Sequence, residues 1–165
     1  MNNNKELNNN KITKILFVCL GNICRSPVAE EILRTRAHQA GLEGEFDSAG
    51  LIDYHQGELP DPRMRRCAAT RGYRLTHRSR PVCPDDFRHF DLIIPMDAAN
   101  LRALNRMAST DAERAKLLPA ASLLTRHTAE AVPDPYYGTE SDFFHVIDLL
   151  EDVADTLIER LKEEE

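Results

Sequence analysis

Residues 12–19 read ITKILFVC, and every position after Lys14 is apolar. A strand with one solvated face alternates polar and apolar residues, whereas one covered on both faces does not. The run therefore predicts a central strand of a parallel sheet sandwiched between helices. A helix start follows almost at once: Ser26 can cap, Pro27 suits the first turn, and Gly41 can end the segment. Between them Ile32, Leu33, Arg36 and Ala37 form a stripe at helical spacing.

The remainder keeps the alternation. Residues 45–49 suit a second strand, and 61–72 a second helix opened by Asp61-Pro62 and stopped by Gly72. Residues 91–96 (DLIIPM) suit a third strand with Pro95 near its end, where a lost ladder bond costs little. Residues 98–107 are helical in composition, and 116–118 suit a short fourth strand. From Ser141 onward, Phe143, Ile147, Leu150, Ala154, Leu157 and Leu161 mark a long amphipathic closing helix. Strands alternating with helices predict a doubly wound α/β fold, which binds its ligands beyond the carboxyl ends of the strands. The Asn-rich stretch 1–10 has too little apolar area to offset its ordering entropy and is expected to be a flexible tail, with residues 11–165 one domain.

Composition narrows the function classes. A formal charge of −6 argues against general affinity for nucleic acid or an anionic membrane. No run approaches the ~18 apolar residues of a membrane span. The polar start carries no secretory signal, so the four cysteines are expected to be reduced thiols in the cytoplasm. Charge is unevenly spread: arginines 63, 65, 66, 71, 74, 78 and 80 crowd one stretch, while twelve of 27 acidic residues lie from Glu130 onward. Both blocks read as solvated faces, with electrostatic steering of a partner as the alternative.

The loop after the first strand, Cys19-Leu20-Gly21-Asn22-Ile23-Cys24-Arg25-Ser26, holds what chemistry on a phosphoryl group needs. Gly21 and Asn22 tolerate positive φ, as a loop turning its amides inward requires. The helix that follows adds unpaired N–H groups and a positive dipole end, and Arg25 a guanidinium fork for two oxygens. A cysteine at the strand end, beside a helix N-terminus and an arginine, is favoured as thiolate, and the Ser26 hydroxyl can donate to it. Cys19 taken alone would be a small buried hydrophobe. Structural zinc is disfavoured: Cys19 and Cys24 are suitably spaced, but Cys67 and Cys83 form no second pair.

With FVCLGNICRSPVAE, SAG at 48–50, PMDAANL at 95–101 and DPYYG at 134–138, the chain resembles the low-molecular-weight protein tyrosine phosphatases. The resemblance implies a four-stranded parallel sheet flanked by helices, no metal or other cofactor, and a phosphocysteine intermediate. It makes Cys19 the nucleophile, Arg25 the phosphate clamp and Asp134 the general acid. Asn22, Ser26, Ser48 and His77 become the network that holds the loop. Tyr54 and Tyr136 become pocket walls, with Leu20 and Ile23 on the rim. Tyr54 stands where some members have tryptophan, and Tyr137 resembles a position phosphorylated in some relatives. Phosphotyrosine proteins are the implied substrates, a bacterial tyrosine kinase first among them, with inorganic phosphate as product. Cys24, five residues from Cys19, is expected to trap an oxidised Cys19 as a disulfide. Arsenate reduction, phosphoarginine hydrolysis and a silent phosphate-binding module are the competing readings. The first lacks its cysteine relay near the third strand, and some relatives acting on phosphoarginine carry threonine at the place of Ile23.

Overall fold

The computed structural model describes residues 12–163, so the expectation for residues 1–10 lies outside it. Its elements are β1 (Lys14–Cys19), α1 (Arg25–Gln39), β2 (Glu45–Gly50), α2 (Pro62–Thr70), α3 (Asp86–His89) and β3 (Leu92–Pro95). After these come α4 (Ala98–Met107), α5 (Asp111–Arg114), a 3-10 turn (Ala120–Leu123) and α6 (Glu140–Glu163). The strands are parallel in the order β2-β1-β3, which puts β1 in the centre as its apolar run predicts. It starts at Lys14 instead of Ile12 because the Thr13 and Lys14 amides both donate to Asp91 Oδ2 at 2.9 Å, outside the ladder.

The expected fourth strand is reduced to one bridge, Ile93 to Leu117, so the described sheet has three strands. Ile93 N donates to Lys116 O at 3.0 Å and Leu118 N to Ile93 O at 2.9 Å. Pairing cannot extend. The Lys116 and Leu117 amides are spent closing α5 on Glu113 O and Arg114 O, and Pro119 offers no N–H.

Both faces of β1 are covered. Ile15 and Phe17 pack with α1, α2 and α6, through residues such as Ile32, Met64 and Ile147. Leu16 and Val18 pack with Phe87 of α3, Ile93 and Leu104 of α4 on the other side. All six apolar positions that mark the closing helix in the sequence are buried. Asp61 caps α2 by accepting from Arg63 N at 2.8 Å, with Pro62 in the first turn, and Gly72 follows at φ +86°.

One buried carboxylate ties α6 to the chain that leads toward the sheet's carboxyl edge. Asp152 accepts from the amides of Thr125, Arg126 and His127 and from Thr125 Oγ1, at 2.9–3.2 Å. Burial alone would raise its pKa, but these donors outweigh it and hold the carboxyl at about 2. A depressed folded-state pKa contributes stability that is complete above the ordinary carboxylate value, near 4, and is lost as pH falls toward 2. Asp152→Asn should lower unfolding stability by about 2 kcal/mol or more at pH 7. In urea titrations the gap from wild type should narrow between pH 4 and pH 2; a constant gap would place the effect elsewhere.

Candidate active site

The loop of residues 19–26 lies where a doubly wound sheet places its ligands, at the carboxyl end of the central strand. α1 begins at Arg25, so Ser26 falls inside the first turn and is not its cap. No side chain caps this helix and none in its first turn is acidic, which leaves its amides and positive dipole end for an anion. The Ser26 hydroxyl accepts from Asn22 Nδ2 at 2.8 Å, so its own hydrogen is free for Cys19 Sγ, 3.0 Å away.

Asn22 is the only described non-glycine residue in the left-handed region, at φ 56°. Gly21, expected to share that conformation, does not. It is constrained by space: a Cβ there would meet the His55 ring at 3.2 Å. Gly50, the glycine of SAG, ends β2 beneath the loop, where a Cβ would lie 3.0 Å from Leu20 O and 3.1 Å from Asn22 Cβ.

Asn22 is fully buried and bonded at both ends of its amide. Its Nδ2 donates to Ser26 Oγ and, at 3.0 Å, to Ser48 Oγ; its Oδ1 accepts from His77 Nε2 at 2.8 Å and from Arg80 N at 3.1 Å. The structure thus joins Ser48 and His77 to the loop. Sequence reasoning missed the next layer. Ser48 Oγ donates to Glu30 Oε1 at 2.8 Å, and His77 Nδ1 faces the same oxygen at 3.2 Å. Ser79 Oγ donates to Gly21 O at 3.0 Å, and Asp61 N to Ile23 O at 2.7 Å. Glu30 left one signal, an acidic residue among the apolar positions Val28, Ala29, Ile32 and Leu33. Glu30, Asp47 and His77 hold three ligand-type atoms within 4.8 Å of one another, but each is already engaged, by Ser48, Arg80 and Asn22.

Arg25 is buried with its guanidinium clamped. Nη1 donates to Asp97 Oδ2 at 2.8 Å and to Val132 O at 3.0 Å, while Nη2 lies 3.8 Å from Asp134 Oδ2. Burial works against its charge, but Cys19, Asp97 and Asp134 outweigh it and push its pKa up. Asp97 is likewise held below the ordinary carboxylate range, the Arg25 hydrogen bond overcoming its burial. The PMDAANL motif by itself assigns Asp97 no role. Its visible sequence signal is as N-cap of α4, which it performs on Asn100 N at 2.8 Å. Asp134 arrives on a segment moored to the sheet by Val132 N, which donates to Met96 O at 2.9 Å. Its carboxylate is half-exposed and accepts from Tyr136 N at 3.1 Å.

These groups open into one cleft of about 370 Å³, which brings Cys19, Arg25 and Asp134 together with Tyr54, Tyr136, Leu20 and Ile23. Tyr136 is backed by the Arg63 guanidinium, 5.3 Å from its ring centroid. His55, packed edge-on to Tyr54, also lines the cleft and carried no sequence motif. Tyr137 is 96% exposed. Burial, aided by Cys19, Asp61 and Asp134, pushes the Cys24 thiol up and keeps it protonated.

A family model described as low molecular weight phosphotyrosine protein phosphatase matches residues 14–165. A Synechocystis relative, named as a candidate low molecular weight protein-tyrosine-phosphatase, is 44% identical over 92% of this chain and 98% of its own. A Streptomyces coelicolor low molecular weight protein-tyrosine-phosphatase is 39% identical over 92% of this chain and 94% of its own. The crystal structure of an Entamoeba histolytica protein tyrosine phosphatase with Hepes in its active site aligns at TM-score 0.89 and 42% identity, covering 92% of this chain and 97% of that one. The chain belongs to the low molecular weight phosphotyrosine protein phosphatases.

That family consists of cysteine-dependent hydrolases, and the cleft of this phosphatase holds a cysteine, an arginine and an aspartate. The orientation of Arg25 depends on Asp97, a residue outside the loop. Asp97→Asn should raise the inhibition constant for inorganic phosphate about tenfold or more, the usual worth of a charged hydrogen bond. Thermal stability should change far less, and an unchanged constant would show that Val132 O suffices to aim the guanidinium.

Proposed function

We propose that this phosphatase hydrolyses phosphotyrosine in proteins in two phosphoryl transfers, with Cys19 as nucleophile, Arg25 as clamp and Asp134 as acid and base. The observation carrying this reading is the meeting of two distant chain segments in one cleft: Cys19 Sγ, with Ser26 Oγ at 3.0 Å, shares it with the Arg25 guanidinium, itself 3.8 Å from Asp134. In the first transfer the sulfur attacks phosphorus, the bond to the phenolic oxygen breaks, and protonated Asp134 supplies the proton that the oxygen needs. In the second, water attacks the phosphocysteine, Asp134 takes its proton, and the S–P bond breaks to release inorganic phosphate. Arg25 and the α1 amides face the equatorial oxygens throughout, where charge is greatest. Ser26, by donating to the sulfur, favours the thiolate as attacker and as leaving group.

Tyr54 and Tyr136 supply flat walls suited to a phenyl ring, and Ile23 adds an aliphatic edge that a guanidinium would not prefer. This supports phosphotyrosine over phosphoarginine. A nucleophilic thiol works only when reduced, consistent with a cytoplasmic protein, and a tyrosine kinase carrying its own phosphotyrosine is the partner we place first.

Cys19→Ser should abolish turnover of p-nitrophenyl phosphate while still binding vanadate; residual hydrolysis would remove Cys19 as nucleophile. Asp134→Asn should slow phenyl phosphate by about 10²–10⁴ but p-nitrophenyl phosphate far less, since that leaving group needs little protonation. Equal losses would place the acid elsewhere.

Cys24 serves in this reading as the trap for oxidised Cys19. Peroxide converts the Cys19 thiol to a sulfenic acid with release of water. The Cys24 sulfur then forms the S–S bond and the sulfenic oxygen leaves as a second water. Its raised pKa keeps Cys24 from competing as nucleophile while Cys19 is reduced. Peroxide-treated wild type should regain activity with dithiothreitol while Cys24→Ser does not; equal recovery would leave Cys24 a packing residue.

A further inference from the structure

Three of the seven arginines between positions 63 and 80 have acidic partners. Arg63 pairs with Asp61 at 2.8 Å, Arg71 with Asp148 and Glu151 at 2.5 and 2.6 Å, and Arg80 with Asp47 and Asp86 at 3.0 Å. The other four do not. The guanidiniums of Arg65, Arg66 and Arg74 have no hydrogen-bond or ionic partner among the described residues, and that of Arg78 donates only to a carbonyl, Gly57 O at 3.0 Å. All four are exposed and line one open groove of about 870 Å³ between α2 and residues 72–78. No acidic side chain among the described residues lines it, although the chain carries 27 acids and a net charge of −6. Local like-charge crowding of this kind opposes folding slightly, and no acidic residue lining the groove offsets it.

The groove is rigidly joined to the catalytic cleft. Leu59 lies at the groove and His55 in the cleft, so their Cα atoms are at most about 14 Å apart along four residues of chain. Gly57 N donates to Ser79 O at 2.8 Å and Ser79 N to Glu58 O at 2.9 Å, which fastens the two lining segments together. Asp61 N, at the start of α2, donates to Ile23 O of the loop itself.

We propose that this groove is an exosite that docks an Asp- and Glu-rich flank of the protein substrate, within about four to six residues of the phosphotyrosine held at Cys19. It rests on the phosphotyrosine reading of the cleft and adds the substrate's sequence context. An extended peptide advances about 3.3 Å per residue, so a flank of that length spans the distance and an arginine side chain covers the remainder. The occupant is a run of carboxylates and not a single phosphate. A phosphate site converges buried donors on one point, whereas these guanidiniums are exposed and spread over a helix and an extended segment. Leu59, Leu75 and Ala69 between them offer apolar contact to the residues separating the acids.

The test uses three phosphotyrosine peptides of equal length: one with neutral flanks, and two with four glutamates three to six positions before or after the phosphotyrosine. Wild type should favour one glutamate peptide over the neutral one in kcat/KM by about three- to thirtyfold at low salt, each exposed pair being worth a few-fold at most. Raising ionic strength to about 0.5 M should collapse the preference. Arg65→Gln combined with Arg66→Gln and Arg74→Gln, and separately Arg74→Glu, should erase it while p-nitrophenyl phosphate and neutral-peptide rates and melting temperature stay as in wild type. No preference in wild type, or one that survives in both variants, overturns the exosite. So does arginine-dependent sedimentation with phosphatidylserine vesicles in the absence of peptide preference, which would make the groove a lipid-facing surface. Fluorescence anisotropy of the same peptides on Cys19→Ser reads the groove without turnover. If wild type hydrolysed none of the substrates, the catalytic reading alone would fail, and equal affinity for all three peptides would still reject the exosite.

Discussion

The carboxamide of Asn22 is the point on which the catalytic loop turns. A side chain in the left-handed conformation is held there only if its surroundings over-determine it, and here four hydrogen bonds do so. They come from three separate places: Ser26 in α1, Ser48 in β2, and His77 with Arg80 in the segment after α2. Because Asn22, Ser26, Ser48 and Glu30 are buried, the bonds among them act in a low dielectric, and loss of one partner would strand the others. The same amide spans the space between Ser26, which touches Cys19 Sγ, and Glu30, which anchors Ser48 and His77. Loop shape and the hydrogen bond to the sulfur are therefore one structure.

Electrostatics divides the molecule into compensated and uncompensated regions. Arg25 is buried among Cys19, Asp97 and Asp134, and the first-turn amides of α1 carry no internal acid, so the cleft accepts a dianion. The acid-rich α6 absorbs Arg36 and Arg71 through Glu151, Asp148 and Asp155. The groove beside α2 has no acidic lining among the described residues, and its wall continues into the loop that carries His55 and Tyr54. An anionic phosphate and an acidic flank of the same polypeptide meet complementary charge on one side of the protein.

Much of this was legible in the chain because local rules carried it. The apolar run 15–19 announced a strand buried on two faces, Asp61-Pro62 announced a capped helix, and the 143–161 stripe announced α6. Rules of local conformation failed where tertiary demands overrode them. Ser26 looked like a cap as well as a donor to the sulfur and is only the second; Gly21 looked like a left-handed residue and is needed for clearance beside His55. The segment 116–118 has strand composition, but the end of α5 takes its amides, and three strands result in place of four.

By itself the sequence determined the fold class, the family and the spacing of Cys19 and Arg25, since these depend on contiguous residues whose periodicity and chemistry act over one strand, one loop and one turn. Only the tertiary structure decided that Asp134, 115 positions beyond Cys19, shares its cleft, because Val132 is hydrogen-bonded to Met96, directly after β3. It also decided that Asp97 aims Arg25, that Glu30 underlies Ser48 and His77, and which of the seven arginines lack partners. Pairing of charges across a sheet depends on which distant segments are packed together, and that information is carried by no local pattern.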